Sequence, residues 1–281
     1  MENIEDFIID ERYINKEDFY KIKALTDLVK GHSPETYVHL FDVAKRSVIL
    51  GQIFGLAHED LVTVYSAGLL HDVGKVVVDT KLLHKFGLTK EDVEIIREQH
   101  IKGTKLIIDG YFDKDIVETC FHHHERLDGS GYPMGIKGNQ ITLNDRIIQV
   151  ADVVSAMVLH RSYRDGVHTY EEASEIINML ADKGRLDKTV VFAMDEVLSE
   201  EKYYKEKILT KKVHEKTTDF SKDIKTLIDY ESISEFSKVK HIRTPERPDE
   251  QFEESVFDES NSYQDSTPRI YSSHKTDVPE Q

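Results

Sequence analysis

Three consecutive histidines followed by a carboxylate and a glycine-rich turn, His122 to Pro133 (HHHERLDGSGYP), constrain this chain more than any other stretch. Histidine is costly to bury without a partner, and adjacent imidazoles cannot all be satisfied by packing. Imidazole is also the commonest protein ligand for a transition metal. Gly129 and Gly131 permit positive φ, and Pro133 fixes the turn that follows. The stretch therefore reads as a helix end carrying metal ligands, with a rigid loop over the same site.

The apolar spacing of the rest is helical. A short helix is expected around Phe19, Ile22, Leu25 and Leu28, with a break at residues 31–34. Ser33 is a candidate N-cap and Pro34 a first-turn residue for a helix over 35–56, where Glu35 and His39, four apart, share a face. Further helices are expected over 59–72 (with Gly74 as C-cap), 89–108, 113–124, 143–161, 170–182 and 188–199. No run shows strand alternation, so the expected class is all-α: a helical bundle with a short N-terminal helical segment (1–30) and a body over 31–200. Residues 201–242 are read as a charged, partly helical extension, and 243–281 as a disordered acidic tail with ten acidic and three basic residues between Pro245 and Gln281.

Composition excludes several classes. The net charge of −16 argues against binding a nucleic acid polymer, which needs a basic face. It does not argue against a small phosphate substrate, because bound cations reverse the sign of a site. The single cysteine, Cys120, rules out an intrachain disulfide. The acidic start is unlike a signal peptide, and no apolar run approaches the ~20 residues that span a bilayer, so a cytoplasmic protein without a membrane partner is expected.

The groups able to hold metal are Glu35, His39, His71, Asp72, His100, His123, His124 and Asp152. One histidine beside an apolar stripe is more often a packed core residue than a ligand, but eight such groups on five helices reverse that reading. A His/carboxylate set without cysteine suits Fe, Mn or Zn. A carboxylate bridging two ions holds them about 3.5–4 Å apart, the arrangement used for phosphoester displacement. Asp72 is the candidate bridge. His122 is one imidazole too many: successive helical positions point about 100° apart, so it is expected outside the ligand set. Cys120 reads as a small buried residue, and Glu125 as a group that orients a ligand.

His71-Asp72 with Lys75, then His123-His124-Glu125 and Asp128-Gly129-Ser130-Gly131-Tyr132-Pro133, resembles the HD-GYP subfamily of the HD phosphohydrolases. The resemblance runs from about residue 33 to 200. It implies a cyclic di-GMP phosphodiesterase giving pGpG, with further cleavage to GMP left open, and two or three divalent ions, usually Fe or Mn. By position it implies His39, His71, Asp72, His100, His123, His124 and Asp152 as metal ligands, and Glu35 as the extra carboxylate of three-metal members. Asp72 and Lys75 are the catalytic candidates, and Lys75, Arg161 and Arg164 the substrate contacts. Gly131 and Tyr132 are assigned to substrate as well, and for Tyr132 and Pro133 loop shape alone is the equal alternative. The chain departs from the family at Ser155, where a second acid is usual, and at Leu159, His160 and Ser162. The rival readings are the same site acting on another nucleotide, and a catalytically weak nucleotide-binding module that signals through its tail. The acidic tail is a candidate segment for docking a protein partner, and a homodimer is left open.

Overall fold

The computed structural model describes residues 7–159 and 168–215, and among them there are only helices and loops. Arg161, Arg164 and the expected tail over 243–281 lie outside the described residues, as does the part of the charged extension beyond 215.

α1 (Lys16–His32) and α2 (Pro34–Ile53) are separated by Ser33 alone. Its side chain caps α2 by accepting the Thr36 N–H, and Pro34 fills the first helical position, where no N–H is needed. The helix expected to be short is thus 17 residues long. After α3 (His58–Leu70) and α4 (Thr80–Leu83) come α5 (Lys90–Ile108) and α6 (Lys114–His122). α7 (Leu143–Val158), α8 (Tyr170–Asp182) and α9 (Lys188–Glu215) follow. α5, α7 and α8 each open on a reciprocal cap, Thr89 with Asp92, Thr142 with Asp145 and Thr169 with Glu172. α9 runs through residue 200 without a break.

α2 is the central element, with Leu40, Val43, Ala44 and Leu50 wholly buried among α1, α3, α7 and α9. Each of the Leu and Val side chains contributes about 1.5–3 kcal/mol by leaving water. α3 crosses α2 at a point where only glycine fits: a Cβ on Gly68 would lie 2.4 Å from the Ala44 Cα. This close crossing brings His39 and His71 within reach of each other.

Gly74 is not a helix cap. α3 ends at Leu70 with His71 as its cap, and Gly74 lies in a 3-10 turn, Val73–Val77. What requires glycine there is proximity, since a Cβ would meet the His100 carbonyl oxygen at 2.2 Å and the Thr104 nitrogen at 2.3 Å. Gly103 of α5 faces the same contact, with a Cβ 2.7 Å from the Gly74 oxygen. Glycine against glycine lets α5 lie directly on the turn that carries Asp72.

Candidate metal centre

The two glycine contacts set the site. His39 comes from α2, His71 and Asp72 from the end of α3, and His100 from α5. His123 and His124 follow α6, and Asp152 lies in the middle of α7. Their ligand atoms fall into two groups that could each hold a metal ion: His39, His71 and Asp72, and His100, His123 and His124. Asp72 touches both. Its Oδ2 lies 3.7 Å from His39 Nε2 and 3.6 Å from His71 Nε2, while its Oδ1 lies 3.2 Å from His100 Nε2. Asp152 joins the first group, with Oδ1 3.1 Å from His39 Nε2 and 3.8 Å from His71 Nε2.

Carbonyl oxygens set the tautomers. His71 Nδ1 donates to the Gly68 carbonyl at 2.9 Å, and His123 Nδ1 donates to the Cys120 carbonyl at 2.5 Å. A carbonyl only accepts, so in each neutral ring the proton sits on Nδ1 and the lone pair on Nε2. His39 Nε2 and His71 Nε2 meet at 3.3 Å, and His123 Nε2 is buried without a hydrogen-bond partner, as is Asp72 Oδ1. Buried polar atoms are seldom left unsatisfied in a protein. Lone pairs and carboxylate oxygens converging on one space fit divalent cations of the borderline kind that imidazole and carboxylate bind.

The charge states agree with that. Burial and the neighbouring imidazoles hold His123 well below the ordinary histidine range, and burial pushes His124 down to about 3. Burial also lowers His100, despite the opposing Asp72 charge. Burial works against charge on Asp72 and Asp152 but is outweighed, at Asp72 first by the Lys75 ammonium and at Asp152 first by the His39 hydrogen bond, so both carboxyls stay well below the usual carboxylate range. Neutral imidazoles and ionised carboxylates are the forms in which these residues bind metal. Lys75 Nζ donates to Asp72 Oδ2 from one turn away.

Other sequence-derived residues are placed as follows. Glu35 is half-buried one turn before His39, outside both groups. His122 is buried at the end of α6, its Nδ1 3.1 Å from Asp145 Oδ2, tying α6 to the start of α7. Cys120 is buried against α3, its Sγ 3.8 Å from the Ala67 carbonyl oxygen. Among the described residues Glu125 hydrogen-bonds no histidine. Its Oε1 accepts the Met134 and Gly135 N–H groups at 2.6 and 3.1 Å, pinning the loop that follows. Of the two loop glycines expected to take positive φ, Gly129 does (φ 80°) and Gly131 does not. Gly131 is needed for close approach, since a Cβ there would lie 2.3 Å from the Glu125 Cα. The loop contains a cis Tyr132–Pro133 bond and lays the Tyr132 ring 4.6 Å from that of His124.

Two features escape a reading by motif. Arg97 lies three residues before His100, hence one turn back on the same face, and its guanidinium carbon is 4.1 Å from the Tyr132 ring centroid. Its spacing from His100 is the signal that was available. Ser155, a departure from the family pattern, touches the centre: its Oγ lies 2.8 Å from His39 Nδ1. That contact joins residues 116 positions apart, and no local pattern announces it.

The HD domain family matches residues 23–190, more than half of the chain, and the chain belongs to that family. The order of its motifs, His71-Asp72 and then His123 to Pro133, is that of the HD-GYP type. It is 34% identical over 196 residues to 3'3'-cGAMP-specific phosphodiesterase 1 of Vibrio cholerae, covering 69% of this chain and 45% of that protein. Over 105 residues it is 34% identical to a cyclic di-GMP phosphodiesterase of Pseudomonas aeruginosa, covering 37% of this chain and 24% of that one. The chain thus spans less than half the length of these curated relatives. Among solved structures, a HDG"Y"P protein from Bdellovibrio bacteriovorus shares the fold, with a TM-score of 0.50 at 18% identity over 66% of each chain. Among the described residues no helix is long and apolar enough to cross a membrane.

Proposed function

We propose that this chain hydrolyses a phosphodiester bond of a cyclic dinucleotide, cyclic di-GMP first, at a centre of two or three divalent ions, Fe or Mn. The observation that carries this reading is Asp72, which turns one oxygen toward His39 and His71 and the other toward His100. A carboxylate so placed is suited to bridge two ions, and ions at that spacing supply charge stabilisation for an in-line displacement at phosphorus.

The chain's own residues divide the remaining work. His39, His71 and Asp152 would hold one ion, and His100, His123 and His124 the other, with Glu35 assigned to a third by the resemblance alone. Lys75, bonded to Asp72 Oδ2, keeps further N–H groups that would donate to a phosphoryl oxygen. The loop stapled by Glu125 sets Tyr132 at the edge of the site, beside His124. Arg161 and Arg164 are assigned to phosphate or guanine contact by the resemblance alone.

A second reading, a mixed cyclic dinucleotide as substrate, is favoured by the 3'3'-cGAMP-specific relative. Ser155 is less of an argument for a catalytically weak module, because its hydroxyl meets a candidate ligand. A cytoplasmic location goes with the substrate class.

The test is anaerobic purification, metal analysis, and separate incubation with cyclic di-GMP and 3'3'-cGAMP, followed by chromatography. Two or more Fe or Mn per chain, with pGpG or GMP released from cyclic di-GMP, is the expected result. Much faster turnover of the mixed dinucleotide would transfer the assignment to it. A full metal complement with neither substrate cleaved would defeat the reading.

A further inference from the structure

The candidate centre opens toward solvent at His124. Of the five histidines in its two groups, His39, His71, His100 and His123 are buried and His124 is not. Tyr132 lies beside it, half-buried, with its ring 4.6 Å from the imidazole. Beyond Tyr132 comes Arg97 of α5, its guanidinium carbon 4.1 Å from the ring centroid. His124, Tyr132 and Arg97 thus form a row that leads outward from the second histidine group.

Arg97 is poorly matched within the chain. Among the described residues its ion pair is with Glu94, three residues earlier on α5, at 3.3 Å. Glu94 is 68% exposed, and ion pairs in such a setting contribute little. Arg97 Nε is buried without a hydrogen-bond partner, which is costly for a donor on a cation. The side chain as a whole is 39% exposed, so a ligand can reach it. A guanidinium carries five N–H donors, and the bond to Glu94 uses one. Attraction to the face of the Tyr132 ring restrains the group at the rim of the centre.

The unmet donors fit a phosphate. A cyclic dinucleotide carries two phosphodiester groups, each with one negative charge. While one of them is cleaved at the metal centre, the other keeps its charge and needs a cation nearby. Arginine suits that task because its planar fork meets two phosphate oxygens at once.

We propose that Arg97 is a substrate-contact residue: it holds the phosphate of the cyclic dinucleotide that is not being cleaved, and Tyr132 keeps its guanidinium at the rim. The proposal rests on the reading above that the substrate is a cyclic dinucleotide. Such a contact ignores the bases, so cyclic di-GMP and a mixed dinucleotide would both use it.

The test compares the metal-loaded full chain with Arg97→Met, which removes the charge, and Arg97→Lys, which keeps the charge without the fork. KM and kcat are measured for cyclic di-GMP and 3'3'-cGAMP over a range of salt, with metal content and thermal midpoint alongside. Arg97→Met is expected to raise KM at least about 10-fold for both dinucleotides, with kcat falling far less. Its kcat/KM should fall less steeply with salt than that of the wild type, because one ionic contact is gone. A residue that only props Tyr132 would leave that slope unchanged. Arg97→Lys should recover part of the loss. Wild-type KM and salt slope in Arg97→Met would overturn the contact, and so would a loss confined to one dinucleotide, which would point to a base instead. If Arg97→Met loses metal or stability, Arg97→Lys decides, with a wild-type KM overturning the forked contact. A wild type that cleaves neither dinucleotide would defeat the hydrolytic reading. Cyclic di-GMP binding would then be measured directly, and equal Kd values for wild type and Arg97→Met would overturn the Arg97 contact by itself.

Discussion

Asp72 Oδ1 lies 3.2 Å from His100 Nε2 in the second histidine group, while the other oxygen of the same carboxylate faces the first. One short side chain therefore joins α2, α3 and α5 at a single point. Asp72→Asn is expected to keep the volume but remove the charge that two ions would share. Bound metal should fall by at least one equivalent per chain, and turnover by at least about 10²-fold. Metal analysis of the purified variant, set beside its rate, checks both.

Gly74→Ala tests the contact that delivers His100. The new methyl group would meet backbone atoms of α5 at 2.2 and 2.3 Å, and a helix backbone cannot step aside as a flexible side chain does. Overpacking of this kind costs about 1–3 kcal/mol. The thermal midpoint should drop by roughly 2–4 °C for each kcal/mol lost, with metal content falling in parallel because His100 is displaced from Asp72. An unchanged midpoint with full metal loading would contradict the packing argument.

Glu125→Gln probes the loop. The carboxylate accepts two backbone N–H groups in a fully buried setting, and its Oε2 is buried without a partner. An amide either accepts these bonds more weakly or places an NH2 where nothing receives it, at a cost of about 1–3 kcal/mol. We expect a lower denaturation midpoint, and a raised KM from loss of the Tyr132 setting, with metal content unchanged.

Arg46→Met gives a prediction with a definite pH dependence. Burial disfavours charge on Asp42, but Arg46 lowers its pKa below the ordinary value, so the pair contributes stability that is present above about pH 4 and lost as pH falls through the folded-state pKa. Removing Arg46 leaves a carboxylate that is only a fifth exposed without its cation, which costs about 3–5 kcal/mol. Denaturant unfolding should show that deficit in full at pH 7. It should narrow below about pH 4, where Asp42 takes up a proton and needs no partner. A deficit of equal size at pH 7 and pH 3 would assign the loss to packing instead.

What the sequence determined by itself was local. Helical spacing and the Ser33–Pro34 start marked where the helices lie, because propensity and capping act within one turn. The string from His122 to Pro133, with His71-Asp72, announced metal chemistry and the family, because so many imidazoles have no use in a packed core. The remaining assignments depend on atoms far apart in the chain. Gly74 and Gly131 look like turn residues, yet each is required by the backbone lying against it. Helix geometry already sets His122 apart from the ligands, but its partner, Asp145, is named only by the packing of α6 against α7. Ser155 reads as a lost acid until α7 lies against α2, when its hydroxyl meets His39. A side chain's role is fixed by the partner that burial obliges it to find, and that partner is chosen by helix packing rather than by sequence neighbours.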